Sequence, residues 1–370
     1  MGKKKTIAVL FGGKSGEHEV SLLSAASVVD AMDRNKYDIV LVGIDKEGNW
    51  WTGDNLLEAF RAGKKEGART AVLPGSSEGG LLLFNDGNIE GTIKLDAVFP
   101  VLHGPYGEDG TVQGLLELAG IPYVGAGVLG SAVGMDKAAM KLILAAKGLP
   151  VANYLYFVKK EFLDGESYWL ETIAEKIGFP CFVKPANLGS SVGISLAGDR
   201  QELLLAIREA LRYDLKVVVE ERLKGKEIEC SVLGNYDPKA SIPGEIIPSN
   251  EFYDYQAKYI DNKSKLIIPA PLSAKLTEEV RFLAVETFKA LDCFGLGRVD
   301  FFVDPETEKI YINEINTLPG FTNISMYPKL WEASGLKYTD LIDKLIDLAF
   351  ARYAAKQELL TSYAPPENIP

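Results

Sequence analysis

Side chains that can bind a metal ion cluster late in the chain, in two β-rich runs. Asp300 lies in the first run, 299–303, while Glu314 and Asn316 lie at the end of the second, which starts at Ile310. A short turn-forming segment separates the runs, so the pattern predicts a hairpin. Residues two apart on a strand share a face, and the hairpin brings Asp300 beside the other two. Mg²⁺ prefers such oxygen ligands. The alternative is a solvated hairpin whose acidic residues face water.

Basic residues that can bind phosphate occur at three other positions. Lys184 ends a predicted strand and precedes a loop, 185–193, that is rich in glycine and serine. Backbone N–H groups of such a loop can surround phosphate oxygens, and lysine adds a point charge. Lys137 begins a predicted helix, and Arg298 can reach the same nucleotide as Asp300 because they share a strand face. The alternatives are a flexible turn and a surface lysine.

The glycines near the N-terminus do not form a familiar nucleotide-binding motif. In a Walker P-loop ending at Gly13-Lys14-Ser15, the first glycine is needed where Ala8 stands. The phasing of a dinucleotide-binding fingerprint is also missing after Gly12. The phosphate site is therefore expected elsewhere in the chain.

Composition places the chain among ordinary globular proteins. It has 370 residues, of which 47% are hydrophobic and 25% are charged, which predicts two or three domains. The formal net charge of -11 argues against nonspecific binding to nucleic acid or to an anionic membrane surface. We therefore expect small-molecule partners, with neither nucleic acid nor membrane among them.

Cysteine and histidine usage narrows the possible metal chemistry and the compartment. The three cysteines, Cys181, Cys230 and Cys293, are widely spaced in apolar surroundings, which predicts buried free thiols and a cytoplasmic location. The two histidines, His18 and His103, are too few for a multi-histidine metal centre. The apolar run after the basic N-terminus is too short for a signal peptide, and no run reaches transmembrane length.

The first third of the chain has the pattern of an α/β domain. A strand over 6–11, an apolar-periodic helix over 20–32 and a strand over 39–44 predict a βαβ unit. The polar stretch 61–80 predicts a surface excursion. A buried strand is expected over 95–102, followed by a helix from Thr111 to Ala119 that ends at Gly120.

The rest of the chain divides into two further lobes and a tail. A helix is expected from Lys137 to Lys147, a strand over 181–184 and a strand-rich region from Val217, followed by helices over 339–354. The predicted organisation is an N-terminal α/β domain, a central subdomain, a C-terminal subdomain with the metal site, and a frayed tail, with the limits 1–125, 126–216, 217–360 and 361–370.

Two long segments resemble the signatures of a known family. The run from Gly297 to Gly320 is similar to the second signature of D-alanine:D-alanine ligases, members of the ATP-grasp superfamily, and the run from His103 to Gly114 resembles the first. The resemblance extends from Ile7 to about Leu348. It implies the α/β class with α+β lobes and the ATP-grasp fold, in which a Rossmann-like N-terminal domain binds the first D-alanine. The nucleotide would lie between the central and C-terminal lobes.

The resemblance also implies which residues bind ATP and metal. Lys137 and Lys184 would contact the phosphates, Lys258 the γ-phosphate, and Glu227 the ribose hydroxyls. The base would be bound by Glu220, Glu221 and the backbone of Leu223, and the remaining ATP contacts would be Ser191 and Asn313. Two Mg²⁺ ions, or Mn²⁺ in their place, would be held by Asp300, Glu314 and Asn316.

The same resemblance assigns residues to the two amino-acid subsites. Glu17 would bind the ammonium group of the first D-alanine, with Val20 and His103 nearby. The segment 252–259 looks like the family's lid loop, in which Tyr259 hydrogen-bonds toward Ser190 and Glu17. The alternatives are an aromatic-rich surface strand for 252–259 and an orienting role for His103. Reaction and acceptor contacts would come from Arg298, Gly320, Ser325 and Met326.

The implied reaction joins two D-alanines at the expense of ATP through a D-alanyl phosphate, for peptidoglycan precursor synthesis, in a protein that is commonly a homodimer. Tyr259 favours D-alanine as the acceptor, since relatives that make D-alanyl-D-lactate commonly carry His or Phe there. The alternatives are D-lactate or D-serine as acceptor, another ATP-grasp ligase, and a catalytically silent nucleotide-binding module. All the ligand positions that can be checked hold competent residues, which disfavours the silent module.

Overall fold

The computed structural model describes residues 3–75, 79–247, 265–304 and 306–360. These residues form three β-sheets with helices packed on them, which confirms the predicted α/β class. The lid segment 252–259 and the predicted tail 361–370 lie outside the described residues. No helix within the described ranges combines the length and the apolar composition needed to span a bilayer.

The first sheet has seven strands in the order β6-β5-β4-β3-β2-β1-β7. Strand β1 pairs in parallel with β2 and β7, as expected for a βαβ unit, and the strands from β3 to β6 pair antiparallel. The elements of this lobe are β1 Lys5–Gly12, α1 His18–Ala31, β2 Tyr37–Ile44, β3 Trp50–Thr52, α2 Leu56–Arg61, β4 Ala68–Val72, β5 Gly80–Asn85, β6 Asn88–Lys94, β7 Ala97–Pro100, α3 Thr111–Ala119 and α4 Val128–Met135.

Strand β1 is buried on both faces, which explains its continuous apolar sequence. Ile7, Val9 and Phe11 pack into one hydrophobic core, while Ala8 and Leu10 pack into a second core on the opposite face. The predicted surface excursion 61–80 contains strand β4, whose alternating buried and exposed positions identify a half-buried strand rather than a loop.

The central sheet is antiparallel, with the order β10-β9-β11-β8. Its elements are α5 Lys137–Ala146, β8 Tyr154–Val158, α6 Lys159–Asp164, α7 Glu166–Lys176, β9 Cys181–Pro185, β10 Ser195–Ala197, α8 Arg200–Ala210 and β11 Lys216–Glu221. The predicted limit between 216 and 217 falls inside β11, which pairs with β8 and β9 in this sheet. The exact limits of the lobes stay a prediction.

The third sheet has the order β15-β14-β12-β16-β17, and β13 pairs with β12. Its lobe contains β12 Lys226–Gly234, β13 Lys239–Ala240, β14 Gly244–Ile247, β15 Lys265–Ile267, α9 Ala274–Ala290, β16 Gly295–Val303, β17 Ile310–Asn316, α10 Met326–Ala333 and α11 Tyr338–Gln357. Helix α11 returns to the first lobe, where Leu341 and Leu345 pack in the same core as Ile7 and Val9.

The predicted metal-binding hairpin is present as β16 and β17. The strands pair antiparallel, with Asp300 opposite Glu314 and Arg298 opposite Asn316. The register shifts between Asp300 and Phe301, so the regular alternation is interrupted beside the acidic pair. The three cysteines are buried and free, as predicted.

Candidate active site

A cleft with a cavity volume of about 120 Å³ lies between the central sheet and the third sheet. Most of the residues predicted to bind a nucleotide or metal line it, namely Lys184, Ser191, Glu220, Glu221, Leu223, Glu227, Asn313, Asp300 and Glu314. Apolar side chains complete the walls, among them Phe182, Ile194 and Ile312. The cleft can therefore hold a flat apolar group beside charged groups.

Two predicted phosphate-binding lysines, Lys184 in the cleft wall and Lys137, approach the acidic hairpin from different elements. Lys184 is on β9, forms an ion pair with Glu220 on β11, and lies 3.4 Å from Asn313 Oδ1. Lys137 is on the first turn of α5, donates to the Leu188 carbonyl at 2.7 Å, and lies 3.5 Å from Glu314 Oε2. The Lys184 ammonium thus approaches the acidic hairpin from the central sheet, and the Lys137 ammonium approaches it from the start of α5.

Local capping fixes the position of Lys137. Asp136 caps α5, because its side chain accepts hydrogen bonds from the N–H groups of Ala138 and Ala139 at 3.0 Å each. The same carboxylate forms an ion pair with Lys216 at 2.5 Å. The start of α5 is therefore tied to the central sheet.

The acidic hairpin forms a compact network of charges. Arg298 donates to both oxygens of Asp300 at 2.7 Å, and its Nε lies 3.0 Å from Glu229 Oε2. Asn316 Nδ2 donates to Asp300 Oδ2 at 2.9 Å. Asp300 is therefore already held in place by its neighbours, on the face that carries Glu314.

The donor set of the hairpin suits a hard divalent cation. Asp300 and Glu314 offer carboxylate oxygens and Asn316 an amide oxygen, which are ligands that Mg²⁺ or Mn²⁺ accepts. Within the described ranges, no cluster of three or more His, Cys, Asp or Glu residues is arranged to hold a metal. The amide of Asn316 is thus needed to complete a three-residue set.

A second group of polar residues connects the first lobe, by a hydrogen bond, to the loop 185–193 that was predicted to bind phosphate. Ser190 donates a hydrogen bond to Glu17, which precedes α1. Ser190 and Ser191 both have positive φ, at 50° and 58°, a strained conformation for residues with side chains. Ser191 lines the cleft between the central and third sheets, so adjacent residues of one strained loop contact Glu17 and this cleft. Tyr259, the third member of this predicted set, and Lys258 lie outside the described residues.

His103 is held on both sides of its ring. Nε2 lies 3.3 Å from Ser24 Oγ, and Nδ1 lies 3.2 Å from the Leu318 carbonyl. Burial lowers the pKa of His103, which outweighs the opposing effect of Glu17, so the ring is neutral. These contacts suit the orienting role that the sequence left open beside direct substrate contact.

The remaining predicted substrate residues are Gly320, Ser325, Met326 and Val20. Ser325 Oγ accepts from the N–H of Thr322 at 3.1 Å, and a Cβ built on Gly320 would lie 3.2 Å from the same hydroxyl oxygen. Met326 is buried against Ile246 and Leu330. Val20 is also buried, in α1.

Three charged residues near the site were not singled out from the sequence. Glu229 on β12 lies opposite Asp300 and pairs with Arg298, and Lys141 on α5 pairs with Glu220. Glu108 accepts from the N–H of Gly104 at 2.8 Å. Glu108 had a usable signal, since it stands in the glycine-rich first signature. The other two depend on long-range contacts, between neighbouring strands for Glu229 and between a helix and a strand for Lys141, which one sequence does not reveal.

The ionisation of Glu108 is unusual. Burial, followed by the negative charge of Glu17, raises the pKa of Glu108 to about 8. The folded state therefore binds a proton that the unfolded state releases at lower pH. Stability supplied by this proton is complete below the unfolded pKa and is lost as the pH rises toward 8.

We expect Glu108→Gln to gain stability relative to the unmodified protein as the pH rises. Glutamine stays neutral and can still accept the hydrogen bond from Gly104. The difference in melting temperature between variant and unmodified protein should grow by about 5 °C between pH 5 and pH 8. Thermal unfolding across this range measures it, with exposed Glu66→Gln as the control. A difference that does not change with pH would contradict the assignment.

Two family descriptions and several known proteins match most of the chain. Residues 6–126 match the family described as "D-ala D-ala ligase N-terminus", and residues 143–347 match "D-ala D-ala ligase C-terminus". The D-alanine–D-alanine ligase of Natranaerobius thermophilus is 53% identical over 364 residues, which cover 98% of this chain and 99% of that protein. The corresponding ligase of Acetivibrio thermocellus is 53% identical and covers 95% of this chain and 98% of that protein.

Solved structures show the same similarity in three dimensions. The D-alanine-D-alanine ligase from Coxiella burnetii matches with a TM-score of 0.84 and 39% identity, over 96% of this chain and 97% of that chain. The VanG D-Ala:D-Ser ligase from Enterococcus faecalis also matches with a TM-score of 0.84 and 39% identity, over 94% of this chain and 100% of that chain. The expected ATP-grasp fold is therefore confirmed. Since both family descriptions match and relatives about half identical cover the chain almost end to end, this chain belongs to the D-alanine–D-alanine ligase family.

Proposed function

We propose that the protein joins two D-alanines to D-alanyl-D-alanine with conversion of ATP to ADP and phosphate. The main support for this proposal is that adjacent residues of one loop contact the two predicted sites. Ser190 bonds to Glu17, where the first amino acid would bind, and Ser191 lines the cleft that would hold ATP. A carboxylate bound near Glu17 would therefore lie beside the terminal phosphate.

In the first step, a carboxylate oxygen of the first D-alanine attacks the γ-phosphorus, and the bond from that phosphorus to ADP breaks. Glu17 binds the ammonium group of this D-alanine and orients its carboxylate. Lys137, Lys184 and Lys258 neutralise charge on the phosphates. Placing both reactants in one cleft supplies much of the catalysis, because little covalent chemistry is left to the protein.

In the second step, the amine of the second D-alanine attacks the carbonyl carbon of the acyl phosphate. Arg298 and the N–H of Gly320 stabilise the oxyanion that develops on the carbonyl oxygen. The carbon–oxygen bond to phosphate then breaks, and the amine loses a proton as the peptide bond forms. Ser325 and Met326 line the acceptor subsite.

The acidic hairpin is proposed to hold two Mg²⁺ ions, with Mn²⁺ as a substitute. Asp300, Glu314 and Asn316 supply oxygen donors of suitable chemistry. When bound, the ions would neutralise the negative charge that builds up on the phosphates during transfer. Glu227 is proposed to bind the ribose, and Glu220, Glu221 and Leu223 to bind the base.

D-Alanine is the proposed acceptor, and D-serine is the second candidate. The similarity to the VanG D-Ala:D-Ser ligase is the observation that favours D-serine. We also propose that the protein works in the cytoplasm as a homodimer and supplies peptidoglycan precursor synthesis. These three assignments rest on the family alone.

Replacing Tyr259 with phenylalanine should shift acceptor use toward hydroxy acids. The sequence keeps tyrosine at the position where ester-forming relatives commonly differ. We expect the ratio of D-alanyl-D-lactate to D-alanyl-D-alanine to rise by about tenfold at neutral pH, as loss of one polar contact allows. Competition between D-alanine and D-lactate measures this ratio. An unchanged ratio would remove the basis for assigning acceptor choice to Tyr259.

Product analysis tests the proposed function. Purified protein is incubated with Mg·ATP and either D-alanine, L-alanine, D-alanine with D-serine, or D-alanine with D-lactate. Phosphate release is followed, and products are identified by mass spectrometry. D-Alanine-dependent release with D-alanyl-D-alanine as the main product supports the proposal. A main product containing D-serine supports the second candidate, and release without a dipeptide overturns both.

A further inference from the structure

Three charged side chains form a buried cluster at the wall of the nucleotide cleft. Lys141 is 1% exposed, Glu220 is 4% exposed and Lys184 is 8% exposed. One oxygen of Glu220 pairs with Lys184, and the other lies 2.9 Å from Lys141 Nζ. Glu220 therefore has a separate lysine at each oxygen.

Within the described part of the chain, Glu220 is the acidic residue that forms an ion pair with Lys141, and no other does. It lies one helical turn after Lys137 on α5, and its ammonium group is 5.8 Å from the ring centre of Tyr154. The Lys141–Glu220 contact satisfies the distance for an ion pair, although neither atom makes a well-directed hydrogen bond within the described residues. Lys141 therefore acts on Glu220 through its charge and not through a well-directed hydrogen bond.

The two lysines keep the Glu220 carboxyl ionised. Burial by itself would raise the pKa of this group, but the charges of Lys141 and then Lys184 outweigh burial and lower the pKa to about 2. The cluster therefore contains two cations and one anion, an excess of one positive charge next to the cleft.

Binding of a nucleotide places competing demands on Lys184. To contact a phosphate oxygen, the Lys184 ammonium must leave Glu220 or share its charge between the two groups. A buried carboxylate that loses its cation is strongly unfavourable. If Glu220 had Lys184 alone as a partner, the ion pair would therefore oppose phosphate binding.

We propose that Lys141 is a positioning residue, a buried counter-ion that keeps Glu220 neutralised and so allows Lys184 to turn from Glu220 to the phosphates of the bound nucleotide. The inference rests on the proposed use of ATP and deepens it. Lys141 would thus raise the affinity for phosphates through Glu220, without contacting the phosphates itself. The competing roles for Lys141 are core packing and direct contact with the nucleotide.

Calorimetric binding of ATP and adenosine separates these roles. In Lys141→Met, Lys184 stays on Glu220, so the affinity for ATP should fall by about 10- to 100-fold while the affinity for adenosine changes less than about threefold. Lys141→Arg keeps the charge and should keep the ratio of the two affinities. Exposed Lys147→Met, on the turn that ends the same helix, is the matched control and should bind both ligands normally. An unchanged ratio in Lys141→Met would overturn the proposal.

Removing the charge of Glu220 provides the second test. Glu220→Gln needs no counter-ion, so adding Lys141→Met to it should alter ATP affinity by less than about threefold. A further loss of tenfold or more would place Lys141 on the nucleotide itself and overturn the positioning role. The double variant contains neither charge of the Lys141–Glu220 pair, so its comparison with Glu220→Gln does not require Lys141→Met alone to fold.

ATP binding and dipeptide formation by the unmodified protein distinguish failure of this inference from failure of the proposed function. If the unmodified protein does not bind ATP, the proposed function and this inference both fail. If it binds ATP and forms a dipeptide but Lys141→Met keeps the normal ratio of ATP to adenosine affinity, the inference alone fails.

Discussion

Replacing Glu314 with glutamine is expected to lower kcat for dipeptide formation by about 1000-fold, which corresponds to about 4 kcal/mol. Glu314 lies opposite Asp300 on the hairpin and 3.5 Å from Lys137. Glutamine keeps the shape but removes the charge that a divalent cation requires. Steady-state phosphate release at several Mg²⁺ concentrations measures the loss, and high Mg²⁺ should recover part of it.

The turn of the same hairpin supplies the control for Glu314. Glu306 is exposed in the turn, at the opposite end of the hairpin strands from Arg298 and Asn316, so Glu306→Gln should leave kcat and the Mg²⁺ dependence unchanged. A Glu314→Gln protein with kcat within threefold of the unmodified value would show that the hairpin does not hold the catalytic metal.

Replacing Arg298 with lysine should lower kcat by about 100-fold or more while ATP still reacts. Lysine retains the charge but loses the planar fork by which Arg298 contacts both Asp300 oxygens and approaches Glu229. Arg298 is proposed to stabilise the oxyanion of the second step, and loss of such a donor costs about 100- to 1000-fold. Trapping with hydroxylamine should therefore still give D-alanyl hydroxamate, a product of the acyl phosphate.

The two variants are expected to differ in which step they block. Glu314→Gln should form neither hydroxamate nor dipeptide, because it impairs phosphoryl transfer itself. Exposed Arg212→Lys serves as a control for the arginine replacement, since Arg212 pairs with Glu209 at the surface. If Arg298→Lys lost hydroxamate and dipeptide to the same degree, Arg298 would belong to the first step.

Local patterns in the sequence predict the parts of the fold that depend on near neighbours. The two β-rich runs around Asp300 and Glu314, with the turn-forming segment between them, predicted the hairpin formed by β16 and β17. Helix α3 ends at Ala119 because Gly120 adopts a left-handed conformation, with φ of 66°, as its position after the apolar pattern indicated. These signals are short-range, so a single sequence contains them.

Contacts between lobes are much less visible in the sequence. Lys141 follows Lys137 by one turn on a helix, and no local feature indicates that it is buried against Glu220 from a strand far along the chain. Glu229 is similar, since its role depends on the register of β12 against β16. Placement of β11 in the central sheet also depends on pairing with β8 and β9, which sequence spacing does not specify.

The acyl phosphate can be tested by following oxygen from the D-alanine carboxylate into the released phosphate. D-Alanine labelled with ¹⁸O in both carboxylate oxygens is incubated with the unmodified protein and Mg·ATP, and the released phosphate and the dipeptide are analysed by mass spectrometry. Attack of the carboxylate on the γ-phosphorus predicts one ¹⁸O atom in the phosphate for each D-alanyl-D-alanine formed. Dipeptide accompanied by unlabelled phosphate would contradict the acyl phosphate, and labelled phosphate without dipeptide would contradict the ligase.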